Sequence, residues 1–349
     1  MITSLERALM WVVLVLSALS LVWLIFFVSE LTSSLAQIHR SSEIAMELRE
    51  RLAALQNEHS VAVMLFVGDI MLSRSVGSRM EAVGDYKYSF LEVGDVLRSA
   101  DLTFGNLEGP ISDRGHNQGS IYSFRADPRV IEGLVFAGMD VLSLANNHIW
   151  DWGRDALLDT ISILEGVNVV PVGVGANYEQ ANEPALFNVG DAKIAVLAYT
   201  NLLPESLEAD TETPGLSDFD LGKVEMIVND LSEEGYLVVV SIHWGDEYEM
   251  LSNDSQKNIG RSLIDAGADL IVGHHPHVVQ ELEQYGNGWI AYSLGNFIFD
   301  QTFSAETMRG AALRVELDGE KINNVSLLPV NISSDFQASF EESNIPQQG

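Results

Sequence analysis

The feature that most limits how this chain can fold is a repeated unit: a short apolar run that stops at a polar, chemistry-bearing residue. Val61-Ala62-Val63-Met64-Leu65-Phe66-Val67 stops at Gly68-Asp69. Asp101-Leu102-Thr103-Phe104 leads to Gly105-Asn106-Leu107-Glu108, and Val141-Leu142-Ser143-Leu144 leads to Ala145-Asn146-Asn147-His148. The run at 237–242 reaches His243, and Leu270-Ile271-Val272 reaches Gly273-His274-His275-Pro276-His277. An apolar run without alternation reads as a strand buried on both faces. Helix-like stretches at 129–138, 154–165, 221–234 and 255–266 separate these runs. Alternating strand and helix signals predict an α/β fold with crossover connections.

Further strand signals at 185–189, 193–199, 289–293, 311–317 and 324–330 have no such helices between them. They predict a second, more antiparallel sheet. Two mixed sheets with helices outside make a four-layer α-β-β-α sandwich. No linker interrupts the stretch, so residues 60–334 read as one domain. Residues 335–349, ending Pro346-Gln347-Gln348-Gly349, read as a flexible tail.

Before this body, residues 10–28 carry no charge, and Ser17 and Ser20 are their polar members. About 20 apolar residues span a bilayer, so the run predicts a transmembrane anchor. The alternative is a cleaved signal peptide, with a small-x-small site at Ser34-Leu35-Ala36. Residues 1–9 then form a short cytoplasmic tail, and the protein is single-pass in the cell membrane with its main domain extracytoplasmic. In residues 29–59, Ala45, Leu48, Leu52 and Leu55 form one apolar helical stripe. That predicts a helical stalk through which two copies pair as a homodimer.

Composition narrows the chemistry. The 349 residues carry 50 acids and 19 bases, a net charge of -31. Nucleic acid is an unsuitable partner, because phosphate neutralisation needs clustered Lys and Arg. Cysteine is absent, so disulfides and thiolate metal sites are excluded. Any metal must be held by nitrogen or oxygen donors.

Such donors sit at the strand ends. Asp69, Glu108, Asn147 with His148, His243, and His275 with His277 follow five separate apolar runs. In an open α/β sheet, carboxyl ends of strands line the ligand-binding rim. Carboxylate, amide and imidazole donors suit Mn, Fe, Zn or Mg. His275 and His277 are two apart, so an extended backbone would aim both the same way and turn His274 aside.

Six ordered blocks carry a family resemblance: Gly68-Asp69-Ile70-Met71, Asn106-Leu107-Glu108-Gly109, Ala145-Asn146-Asn147-His148, His243-Trp244-Gly245, Gly273-His274-His275-Pro276-His277 and Tyr292-Ser293-Leu294-Gly295-Asn296-Phe297. Together they resemble the CapA-type proteins of poly-γ-glutamate capsule synthesis, which in turn resemble calcineurin-like metallophosphoesterases. The resemblance implies a metallophosphoesterase-like sandwich holding one or two divalent ions. Asp69 and His277 would bind the first ion, and Glu108 would take the bridging place, with Asn106 as the alternative donor. Asn147, His243 and His275 would bind the second. His148 would act as general acid, oriented by Asp151. The resemblance also implies other capsule-synthesis subunits and an anionic polymer as partners.

Two positions depart from the phosphoesterase pattern. Met71 stands where that pattern has a metal-binding His, and a thioether is a poor ligand for a hard or borderline ion. Glu108 stands where it has Asp. Arg74 and Arg125 are candidates for binding an anionic substrate. Trp150, Trp152 and Trp244 flank the blocks as pocket walls or core, and Asn296 is a candidate for orienting a ligand. Gly173-Val174-Gly175 lacks the spacing of a dinucleotide fingerprint. Two functions stay open: a membrane-tethered metal-dependent hydrolase of phosphoesters or amides, and a polymer-binding or assembly subunit without turnover.

Overall fold

The computed structural model describes residues 61–341 without a break and, before them, residues 10, 11, 19–24, 26–30, 32, 46 and 49, all helical. Among the described residues no helix is long and apolar enough to cross a membrane. The expected span at 10–28 lies only partly among them, and the stripe of Ala45, Leu48, Leu52 and Leu55 lies outside them. The chain divides into two compact units, Met1–Ser60 and Val61–Gly349.

The second unit is a mixed α/β sandwich. Numbering strands in chain order, the first sheet runs β16 (Ala338–Phe340), β15 (Lys321–Ile332), β14 (Arg309–Asp318), β1 (Ala62–Ile70), β2 (Leu102–Leu107), β3 (Val141–Ser143) and β4 (Val170–Val172), with β13 (Asn296–Ile298) on the end of β1. The second runs β11 (Leu282–Tyr285), β12 (Gly288–Ala291), β10 (Leu270–His274), β9 (Leu237–His243), β7 (Ala192–Thr200) and β6 (Ala185–Val189). A short ribbon pairs β5 (Val174–Gly175) with β8 (Gly215–Leu216). The centre of each sheet is parallel: β1 through β4 in the first, β7, β9, β10 and β12 in the second.

Side-chain parity explains the continuous apolar runs. In β1, Met64 and Phe66 face the core between the sheets, while Leu65 and Val67 face a second core on the outside. That outer core packs against α1 (Arg74–Val83), α3 (Ile131–Ala137) and α4 (Gly153–Glu165) through Val76, Met80, Leu134 and Leu157; the short α2 (Gly94–Arg98) adds Leu97. In β9, Val239 faces inward and Val238, Val240 and Ile242 face outward. There they meet Val224 and Val228 of α6 (Leu221–Glu233) and Leu263 of α7 (Asp254–Asp265). The remaining helix, α5 (Tyr178–Asn182), lies against β5. A strand sandwiched on both faces has no room for polar alternation.

Two expectations need correction. The strands at 311–317 and 324–330 do not join the second sheet. They form the β14–β15 hairpin, which extends the first sheet antiparallel to β1, with Ala62 opposite Leu317 and Val67 opposite Ala312. Ala311, Leu313, Val315 and Leu317 thereby enter the inter-sheet core. Nor is the segment after Asp335 a flexible tail throughout. Val330, Asn331 and Ile332 pair with β16, and Ala338 and Phe340 are buried in the outer core.

The amino ends of the parallel strands are closed by one recurring device. Asp101, Asp140 and Asp269 each stand just before a strand. Their carboxylates accept the N–H of Val63, Thr103 and Val238 on the neighbouring strand at 2.7–2.8 Å. Each satisfies a donor that the sheet ladder leaves over at its rim.

Candidate metal centre

The carboxyl ends of β1, β2, β3, β9 and β10 meet at one rim, and the polar residues that follow them converge there. Glycine makes the approach close enough. A Cβ on Gly68 would lie 2.0 Å from the Gly295 carbonyl oxygen, and one on Gly273 1.9 Å from that of Tyr292. The segment between Tyr292 and Asn296 therefore lies against both strands, and the Gly295 carbonyl accepts the Asp69 N–H at 2.9 Å.

Asp69 is fully buried at the end of β1. Its Oδ1 accepts from Asn106 Nδ2 at 2.8 Å and lies 3.3 Å from His274 Nδ1. Its Oδ2 lies 3.2 Å from His277 Nδ1 and accepts the His275 N–H at 3.3 Å. Burial alone would raise this carboxyl, but hydrogen bonds and charge from His274 and His277 outweigh burial and hold it well below the ordinary range.

Glu108 lies between two imidazoles. His277 Nε2 is 3.7 Å and His148 Nε2 is 3.8 Å from its Oε1. The residue is 1% exposed, and neither carboxylate oxygen has a hydrogen-bond partner. Burial pushes its pKa well above the usual carboxylate value, against the pull of His277. A buried charged acceptor without a donor is costly unless a cation compensates it.

His277 is pushed up to about 9. Burial opposes the shift, but Glu108 and Asp69 outweigh it. Its Nδ1 also faces Asn296 Oδ1 at 3.0 Å, and Asn296 is itself anchored to the Thr307 carbonyl and Gln301. With two acceptors on Nδ1, the free atom of the neutral ring is Nε2, on the Glu108 side. This is the way an outer partner fixes which nitrogen a histidine offers.

His243 ends β9. Its Nε2 is 2.9 Å from Asn147 Oδ1, and its Nδ1 is 3.4 Å from the donor Nδ2 of Asn106. Burial, then the neighbouring His275, hold it well below its ordinary value, so it is neutral. His275 lies 4.9 Å from His243 between ring centroids, with an unpartnered, buried Nδ1. Burial and the His277 charge lower it to about 4. One donor atom each of Asp69, Glu108 and His243 lie within 4.8 Å of one another; the same holds for Glu247, His275 and His277.

His148 stands at the edge of the cluster. Its Nδ1 is 2.8 Å from Asp151 Oδ2, which also accepts the Phe124 N–H at 2.8 Å. Its ring stacks on Phe124 with centroids 4.0 Å apart. Nε2 is thereby aimed at the rim. Beside it opens a cavity of about 170 Å³, walled by Arg74, Tyr122, Phe124, His148, Tyr248 and Phe303 among others. Arg74 reaches this cavity, and its Nη2 pairs with Asp300 at 3.1 Å.

Arg125 does not line that cavity. Its guanidinium sits 3.6 Å from the Trp152 ring centroid and donates to the Arg114 carbonyl. Trp244 is core: it is fully buried and its indole N–H donates to the Tyr292 carbonyl at 2.9 Å. Met71 is also fully buried, and its sulfur accepts from the Ser73 N–H and hydroxyl at 3.2 and 3.1 Å.

His274 does not turn aside. It pairs in register with His243, and neighbouring residues of parallel strands share a face. Leu270, Val272 and His274 therefore all face inward. His275 and His277 reach the cluster from a backbone that is not extended, with φ of 98° and 59°. Asn146 and Glu247 went unassigned in the sequence, and Asn106, offered there as the alternative donor to Glu108, holds Asp69 instead. Asn146 Nδ2 donates to Asn106 Oδ1 and to the Leu107 carbonyl, tying two strand ends together. Glu247 had one signal, its place in the same loop as His243.

An α/β sandwich with a buried carboxylate–imidazole–amide cluster at its strand ends is the class that fold and site define: a protein with a candidate divalent-metal centre. Residues 63–301 match the family described as bacterial capsule synthesis protein PGA_cap, and the chain belongs to that family. It is 34% identical over 283 residues to the capsule biosynthesis protein CapA of Bacillus anthracis, covering 79% of this chain and 68% of that one. It is 31% identical over 290 residues to the PGA biosynthesis protein CapA of Bacillus subtilis strain 168, covering 81% and 75%. Among solved structures, the 5'-nucleotidase precursor of Thermus thermophilus superposes with a TM-score of 0.47 at 14% identity. The match covers 80% of this chain and 54% of that one, so this chain spans about half its length.

Proposed function

We propose that this chain is a membrane-anchored, extracytoplasmic component of capsule or poly-γ-glutamate synthesis or export, with a metal-dependent hydrolase-like site. Residues 10–28 serve as its anchor and the stalk at 29–59 as its pairing surface. Capsule-synthesis subunits and the anionic polymer are its partners. The observation that carries the metal reading is Glu108, buried with both oxygens unpartnered between His148 and His277. A divalent cation is the group that such a carboxylate fits.

The residues that would hold one or two such ions are Asp69, Glu108, Asn147, His243, His275 and His277. When bound, the metal supplies water activation and stabilises charge in an in-line displacement. The chain's own residues do the rest. His148, oriented by Asp151 and Phe124, donates a proton from Nε2 to the leaving group. Asn106 and Asn296 hold the flanking carboxylate and imidazole in place. Arg74 presents a cation at the cavity to an anionic substrate, which a net charge of -31 would otherwise repel at long range.

A second reading is a subunit that binds polymer or partners without turnover. It is favoured by Met71, whose sulfur is committed to Ser73 in the core and so gives no ligand where the phosphoesterase pattern has one. Metal analysis of the full chain in detergent tests the first reading, alongside His275→Ala and a screen of phosphoesters and γ-glutamyl amides. Near-stoichiometric metal that His275→Ala loses, with turnover that His148→Ala abolishes, supports the hydrolase. Metal without turnover on any substrate supports the second reading. No metal after reloading a folded protein defeats the metal centre.

A further inference from the structure

We propose that Glu247 is a carboxylate ligand of this centre, joining His275 and His277 around one divalent ion; the inference rests on the metal reading above. One oxygen of Glu247 and one nitrogen of each histidine lie within 4.8 Å of one another. Oxygen and nitrogen ligands sit about 2.0–2.2 Å from a zinc-like ion, so neighbouring donors on one tetrahedral ion are about 3.4 Å apart. A small side-chain movement closes the difference. His275 contributes independently: it is 7% exposed, its Nδ1 is buried without a hydrogen-bond partner, and its ring lies 5.8 Å from that of His277.

The loop that carries Glu247 is held in an uncommon shape. Gly245 and Tyr248 have φ of 87° and 66°, the Tyr248 N–H donates to the Pro276 carbonyl at 2.8 Å, and Gln301 donates to the Tyr248 hydroxyl at 3.2 Å. The Pro276 contact ties Glu247's loop directly to the segment between the two histidines. The adjacent Asp246 is turned to Asn253, accepting from its Nδ2 at 2.8 Å. Among the described residues no Lys or Arg lies in ion-pair range of Glu247. Asp69, Glu108 and Glu247 gather three carboxylates at one rim around a single imidazole, His277, and Arg74 in the adjoining cavity is paired with Asp300. Like charges assembled this way destabilise a fold unless a cation joins them. Met71 at the end of its strand gives no ligand, its sulfur being turned to Ser73, whereas Glu247 brings a hard oxygen from a different strand end.

The test is Mn(II) binding to the full chain in detergent, followed by chelator competition and by the electron paramagnetic resonance spectrum of the bound ion. The variants are Glu247→Gln, Glu247→Asp, Asp246→Asn and His275→Ala. Glu247 is solvent-exposed, so Glu247→Gln should keep the wild-type melting midpoint of the metal-free protein. The expected result is a tenfold or greater loss of Mn(II) affinity and an altered spectrum in Glu247→Gln, part recovery in Glu247→Asp, and near-wild-type binding in Asp246→Asn. An equal loss in Asp246→Asn means that charge at a distance is responsible and overturns the ligand assignment. Wild-type affinity and spectrum in Glu247→Gln, with binding lost in His275→Ala, overturns Glu247 alone and leaves the metal centre standing. No Mn(II) bound by the wild-type chain overturns both.

Discussion

Glu108→Gln should stabilise the metal-free protein while abolishing its response to metal. The carboxylate is 1% exposed, its oxygens have no donor, and the nearest imidazole nitrogens stand off at 3.7 and 3.8 Å. An unsatisfied buried polar group costs about 1–3 kcal/mol, more when charged. A neutral amide of the same shape removes the charged part of that cost. In a domain of this size 1 kcal/mol moves the midpoint by about 2 °C, so the variant should melt about 2–6 °C higher in chelator. Metal at 100 times its Kd stabilises the native state by about 2.7 kcal/mol, so the wild type should gain about 5 °C on loading. The variant should gain almost nothing, so metal should close the gap between the two midpoints or reverse their order. The pH dependence follows from the sign of the shift. A carboxyl raised in the folded state contributes no penalty below the unfolded value of about 4.3 and loses stability as pH rises toward its folded value. The gap between the proteins in chelator should therefore vanish near pH 4 and open as pH rises. Differential scanning fluorimetry at pH 4 and pH 7.5, with and without Mn(II), reads all of this. A variant that melts lower than wild type in chelator at pH 7.5, or that keeps the full metal-induced gain, would refute the reasoning.

Other outcomes follow from neighbouring groups. His277 is raised to about 9, so the stability it lends to the metal-free protein is complete below about pH 6.5 and lost as pH rises to about 9; His277→Gln should flatten that decline in urea titrations. For the same reason metal binding at pH 7 should release a proton, which calorimetry in buffers of different ionisation enthalpy will count. Gly68→Ala places a Cβ 2.0 Å from a backbone oxygen that cannot swing away, and should cost about 1–3 kcal/mol in denaturant and weaken metal binding by displacing Asp69. Asp140→Ala leaves the Thr103 N–H without its acceptor and should cost about 1–3 kcal/mol while metal affinity stays unchanged.

Much of this fold is legible in the chain because its strands are buried on two faces. Runs such as 237–242 cannot be helices packed on one side, and each ends where a sheet rim must be. The assignment of strands to sheets was not legible. β14 and β15 look like any hairpin, and what sends them to β1 is a long antiparallel register with Ala62–Val67, a pairing between segments more than 200 residues apart. The final strand was hidden for a related reason. Ala338 and Phe340 are apolar at the spacing of a strand, but the segment is so short that only its partner β15 defines it.

At the site, residue type was legible and direction was not. His274 illustrates why. Counting from His277 backwards on an assumed extended backbone turns it away; counting forwards along β10 from Leu270 turns it inward, and the forward count is right because φ becomes positive only at His275. The same strand polarity separates the acids of this very acidic chain into two populations. Asp101, Asp140 and Asp269 precede their strands, and each is satisfied by a neighbouring N–H, so their role is complete within the sheet. Glu108 follows its strand and has no hydrogen-bond donor among the described residues, although its burial is at least as complete. Burial with a partner is how a fold uses a carboxylate, and burial without one implies a partner from outside the chain. Neutralising an acid of the first population should cost stability and leave metal binding alone. Neutralising Glu108 should do the reverse, and that opposition separates a ligand cluster from a merely polar core.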